Sequence, residues 1–175
     1  SLVHGDLHSG SIFANADGVK ILDPEFAFYG PMGYDIGNVI GNLFFSWANK
    51  VFTMPGEKEA IAALETTIEQ LCDLTFDKLE RKYDELVLFP LYREESFKAA
   101  YLDSVMSDSF GYAGTEIIRR VVGDAKVMEL SSVTEPEKRV PMERALIKLG
   151  IALIKQRESL GSGRELTELF RLILA

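Results

Sequence analysis

A change of pattern at Gly33 constrains this chain more than any other feature. Before it the sequence reads as short β-compatible runs and turns; after it apolar residues recur at helical spacing. Ser11 to Asn15 and Val19 to Leu22 suit strands, and the Asp-Gly step in Asn15-Ala16-Asp17-Gly18 suits a tight hairpin. Leu2-Val3 adds a short strand. The expected fold is α+β and predominantly α-helical, a small hairpin followed by about six or seven helices.

Gly33 to Asn49 carries Gly37 and Gly41 on one face, where missing side chains allow another backbone to approach. Glu57 to Cys72 lines Ile61, Leu64, Ile68 and Leu71 on one stripe, and Phe76 to Leu88 and Glu94 to Met106 read as further helices separated by Pro90. Thr134 with Glu137 and Ser162 with Glu165 have capping-box spacing. They bracket Pro141 to Leu160, whose buried side is marked by Met142, Ala145, Leu149 and Leu153. There is no internal repeat and no low-complexity segment.

A chain of 175 residues suits one compact unit. Its formal charge of −8 disfavours a duplex nucleic acid or an anionic membrane as partner, so an anionic ligand needs locally placed cations. A single cysteine, Cys72, excludes an intramolecular disulfide and a multi-cysteine zinc cage; a reducing compartment fits, with the cytoplasm as the default expectation. The most apolar stretch, Val39 to Ala48, is too short to span a bilayer.

The concentrated chemistry lies between His4 and Asp35. In His4-Gly5-Asp6-Leu7-His8, Asp6 sits where a strand becomes a loop, and Asp23-Pro24-Glu25 follows the second hairpin strand. A hairpin returns the chain on itself, so these carboxylates are expected at one end of it. Asp23 and Glu25, at i and i+2 of an extended segment, would point the same way and suit a hard cation such as Mg²⁺. Asp6 is then free to act as base or orienter, and together these are the parts that phosphoryl transfer requires. Plainer readings stand beside this one. Asp6 is also the residue type of a turn cap, and His4, Asp6 and His8 could share a metal. The expected role of His4 is structural, bonding the backbone near the loop. Asp35 either braces that loop or serves as a helix N-cap. Phe26, Phe28 and Tyr29 are expected to pack beneath the Asp23-Pro24-Glu25 loop, and Trp47 in the core.

His4-Gly5-Asp6 followed by Asp23 resembles the catalytic segment of protein-kinase-like small-molecule kinases. The longer strings, His4 to Ser11 and Asp23-Pro24-Glu25-Phe26-Ala27-Phe28-Tyr29-Gly30-Pro31-Met32-Gly33-Tyr34-Asp35, look like those of the S-methyl-5-thioribose kinases. Phe110 to Gly123 is similar to the twin-arginine segment of the same family. The resemblance implies ATP and Mg²⁺ as cofactors and phosphorylation of the 1-hydroxyl of 5-methylthioribose in methionine salvage. It makes Asp6 the catalytic, substrate-contacting carboxylate, Asp23 and Glu25 the metal ligands, and Asp23-Pro24-Glu25 the segment facing the nucleotide phosphates. Arg119 and Arg120 become substrate-holding cations, with His4 and Asp35 in support, and the family resemblance suggests a homodimer. Adjacent helical residues lie about 100° apart, so one arginine can reach the site while the other pairs with an acidic neighbour.

Ser11 departs from the pattern, since such kinases usually carry a metal-binding asparagine there; Glu25 is the expected compensation. A Gly-rich phosphate loop and a strand lysine are both missing. Residues 1–175 therefore read as a kinase-like C-terminal catalytic lobe whose nucleotide-binding N-terminal lobe is expected to precede Ser1. Another small-alcohol phosphotransferase (for an aminoglycoside, choline or a sugar) and a non-catalytic kinase-like binding module are the competing readings.

Overall fold

The computed structural model describes residues 1–175. Its β portion is two separate antiparallel ribbons. Strands β2 (Ile12–Asn15) and β3 (Gly18–Ile21) pair with Ile12 opposite Ile21 and Asn15 opposite Gly18. The turn closes on the Asn15 side chain, whose Oδ1 accepts from the amides of Asp17 (2.9 Å) and Gly18 (3.1 Å), and Gly18 adopts φ +148°. Strand β1 (Leu2–Val3) pairs with β4 (Phe28–Tyr29), Leu2 opposite Tyr29. The second ribbon ties the segment leading into Asp6 to the segment leaving Glu25.

Six α-helices follow: α1 (Gly33–Thr53), α2 (Lys58–Leu86), α3 (Glu95–Val122), the short α4 (Met128–Ser131), α5 (Pro136–Gln156) and α6 (Gly163–Leu174). The chain is thus α+β and mostly helical, the composition of a kinase-like C-terminal lobe. Two sequence boundaries dissolve. Glu57 to Cys72 and Phe76 to Leu88 form one helix of 29 residues, because Ile68, Cys72, Phe76 and Leu79 continue a single stripe and nothing between them breaks a helix. Likewise α3 runs through the polar Ser107-Asp108-Ser109 step past Met106, because Gly33 and Gly37 of α1 pack against it, while the buried Ser109 Oγ is satisfied by donating to Val105 O at 2.7 Å.

The core lies where α1 meets α3 and α3 meets α5. Gly33, Gly37 and Gly41 line the α1 side, and a Cβ on Gly37 would stand 2.5 Å from Ser109 O and 2.7 Å from Ala113 N. Gly114 and Gly150 permit an equally close approach of α3 to α5. Trp47 is buried as expected, stacked on Phe44 at 5.8 Å and met edge-on by Phe170 at 4.9 Å. Met142, Ala145, Leu149 and Leu153 are all buried on α5.

The two capping boxes fare differently. Ser162 caps α6 by accepting from Glu165 N (3.3 Å), although the Glu165 carboxylate reaches back to Gly161 N and not to the cap residue. Thr134 and Glu137 form no box: Pro136 occupies the first turn of α5, which shifts the cap to Glu135, and Thr134 Oγ1 turns to the Glu135 carboxylate instead. Phe26, Phe28 and Tyr29 do not pack beneath a loop. They are 59%, 42% and 84% exposed, because the ribbons have no second layer over them.

Candidate active site

The His4-Gly5-Asp6 loop is fixed from three directions. Asp35, in the first turn of α1, accepts from His4 N at 2.5 Å and from Gly5 N at 3.0 Å. Its carboxylate is therefore a brace for the loop; the N-cap of α1 is Met32, which makes no side-chain cap. Gly5 takes φ +87° and presses against the turn after Glu25, where a Cβ would lie 2.1 Å from Phe26 O. The imidazole of His4 joins the two loops. Its Nδ1 accepts from Asp6 N (3.4 Å), which leaves the protonated Nε2 to donate to Leu22 O at 2.8 Å.

His4 is thus spent on backbone groups at both nitrogens. His8 is committed at one nitrogen, its Nδ1 accepting from Gly10 N at 3.1 Å in the turn Ser9–Ser11. This removes the shared His4, Asp6 and His8 metal site; no group of three or more His, Cys, Asp or Glu side chains converges anywhere. Ser11, at the position where the resemblance leads one to expect a metal-binding asparagine, is buried and turned inward. Its hydroxyl donates to His8 O (2.9 Å) and accepts from His8 N (3.1 Å).

The Asp23-Pro24-Glu25 segment is not extended. Asp23 adopts φ +67°, a left-handed conformation that Asp tolerates better than most residues, and Pro24 O accepts from Ala27 N at 3.0 Å to close a turn. The same-face relation expected of an i, i+2 pair in a strand therefore does not hold. Both carboxylates are solvent-exposed at a turn that directly abuts the Asp6 loop.

Arg119 and Arg120 separate as their positions on a helix require. Arg119 is half exposed and bonds only Glu116 (Nε to Oε2, 2.8 Å). Arg120 is largely buried and reaches Asp6, with Nη2 3.3 Å from Oδ1. Its Nε donates to Glu116 Oε1 at 2.7 Å and its Nη1 to Ala125 O at 3.2 Å. Glu116, 4% exposed, is the residue that motif reading passes over; its only sequence signal is its spacing three and four residues before the two arginines.

Comparison with known proteins finds similarity to phosphotransferases. Residues 1–72 match the family model described as APH, phosphotransferase enzyme family. The chain is 38% identical over 170 residues to a methylthioribose kinase of Geobacillus sp. (strain WCH70), an alignment covering 97% of this chain and 41% of that protein. It is 39% identical over 160 residues to the methylthioribose kinase of Pectobacterium atrosepticum, covering 88% of this chain and 39% of the relative. With that of Bacillus pumilus it shares 34% over 174 residues, covering 98% and 42%. The similarity runs along nearly the whole chain, while the chain spans about two fifths of the length of these relatives.

Proposed function

We propose that this chain, similar along nearly all its length to methylthioribose kinases, is the C-terminal catalytic lobe of an ATP-dependent kinase that phosphorylates the 1-hydroxyl of 5-methylthioribose, the methionine-salvage step. The observation that carries the reading is the Asp6 carboxylate, held on a braced loop beside Arg120 and against the Asp23-Pro24-Glu25 turn.

Asp6 orients the sugar hydroxyl and accepts its proton as the oxygen attacks the terminal phosphoryl group of ATP, whose bond to the bridging oxygen breaks to release ADP. Asp35 and His4 hold Asp6 in place through the loop backbone. Arg120 supplies fixed positive charge next to the reacting oxygen, and Arg119, at the rim, helps to hold the sugar. Asp23 and Glu25 are exposed oxygen donors, a set that suits Mg²⁺, which binds through one or two carboxylates together with phosphate oxygens and water. These two carboxylates would hold the ion, whose chemistry there would be to offset negative charge on the ATP phosphates.

A nucleotide cradle preceding this lobe completes the proposal, and exposed apolar residues on both faces of the β2–β3 ribbon, Phe13 on one and Val19 and Ile21 on the other, support it. The test is ATP- and Mg²⁺-dependent phosphorylation by the full-length parent protein, with 5-methylthioribose compared with ribose, choline and an aminoglycoside. Selective turnover of methylthioribose sustains the reading. Preference for another alcohol keeps the phosphotransferase and discards the substrate, and nucleotide binding without turnover of any of them points to a binding module.

A further inference from the structure

Glu116 carries a carboxylate in a place where an ionised group is expensive unless fully partnered: 4% exposed, in the face of α3 that meets α1. Its stem packs on α1 at Gly41, where an added Cβ would stand in ordinary contact, 3.4 Å from Glu116 Cγ. The two oxygens divide the neighbouring cations between them, Oε2 to Arg119 and Oε1 to Arg120 Nε. Arg120 is thereby held along one edge by Glu116 and at Nη1 by Ala125 O, so that Nη2 is the part of the fork left to face Asp6. A guanidinium held on two sides loses little freedom when it meets a third partner.

We infer that Glu116 is a positioning residue for phosphoryl transfer: it acts through Arg120, aiming the guanidinium at Asp6 and at the charge that develops beside it, and touches no substrate itself. This deepens the kinase reading and rests on it.

The experiment is a double-mutant cycle in the full-length parent, with Glu116→Gln, Arg120→Lys and the pair. Glutamine keeps the shape of Glu116 but removes its charge and one acceptor; lysine removes the fork. The expected result is a kcat about tenfold lower in Glu116→Gln, with the KM for methylthioribose changed less than about threefold. The double variant should be no slower than the slower single, because both changes break one chain of contacts. Glu116→Asp, which keeps the charge on a shorter stem, should lie between glutamine and wild type and serves in place of Glu116→Gln should that variant not fold. Unchanged kcat in a folded Glu116→Gln protein, or losses that multiply in the double variant, would overturn the inference. Failure of the kinase reading is seen separately, as wild-type parent protein that phosphorylates no methylthioribose. In that case the ¹⁵N-detected Arg120 Nε–H still decides the anchoring, expected slow to exchange in wild type and fast in Glu116→Gln, with fast exchange in both overturning it.

Discussion

Arg120 Nη2 lies 3.3 Å from Asp6 Oδ1 although 114 residues separate them in the chain. The contact joins the loop between the β ribbons to the last turn of α3 and sets a cation beside the proposed base. Asp6→Asn keeps the shape and removes the negative charge that accepts a proton. In the parent enzyme it is expected to lower kcat by at least about 100-fold, the ordinary contribution of a general base, with nucleotide binding retained. Steady-state kinetics and a nucleotide titration check both halves, and near-normal turnover would remove Asp6 from the mechanism.

Asp35 holds two backbone amides of the active loop. Asp35→Ala leaves both of these part-buried donors without their acceptor, at about 1–3 kcal/mol each if water does not replace it. Denaturant unfolding should show a loss of at least about 1 kcal/mol, and activity should fall further than stability alone explains because Asp6 is released with the loop. A variant of full stability and full activity would show that the brace is dispensable.

Gly37 sets the separation of α1 and α3. Gly37→Ala puts a methyl carbon 2.5 Å from Ser109 O, a backbone atom that cannot swing aside. Overpacking of this kind costs about 1–3 kcal/mol, and the displaced α3 carries Glu116 and Arg120 with it. Gly56→Ala is the control, since no atom lies within 4 Å of its added Cβ. Thermal melting should separate the two clearly, and equal melting temperatures would count against tight helix contact at Gly37.

Cys72 lies midway along α2 in the core, where burial and then the Asp73 carboxylate push its thiol up to about 12. The native chain should be inert to alkylation at pH 8 and react fully in denaturant, because the thiolate is the nucleophile. The folded state holds the thiol proton more tightly than the unfolded chain. The contribution to stability is therefore complete below the ordinary value of 9.0 and is lost as pH rises from there toward about 12. Rapid alkylation of native protein at pH 8 would contradict this burial.

Local patterns were readable where the relevant physics is local. The Asn15 turn, the stripe of Ile61, Leu64, Ile68 and Leu71 and the Ser162 cap each depend on neighbours a few residues away, and all three form. Helix ends were less legible. Polar steps such as Ser107-Asp108-Ser109 look like interruptions in sequence but are carried by packing against another helix, and Pro136 moves a cap by a single position. The two-residue strand β4 and the exposure of Phe26 and Tyr29 depend on which segments lie beside them, which no period within residues 26–29 encodes.

By itself the sequence determined the kind of chemistry available: a loop carboxylate in His4-Gly5-Asp6, an acidic turn at Asp23 and Glu25, and two adjacent arginines, on a mostly helical chain with local cations against a net charge of −8. Residue types and near-neighbour spacing are enough for that. Only the tertiary structure decided that Arg120 and not Arg119 meets Asp6, that Ser11 spends its hydroxyl on the His8 turn, and that buried Glu116 holds both arginines. The reason is geometric. Two side chains 100 or so residues apart meet only when glycine-lined helix faces fix the distance between their backbones, and a buried charge reveals its partners only once that distance is set.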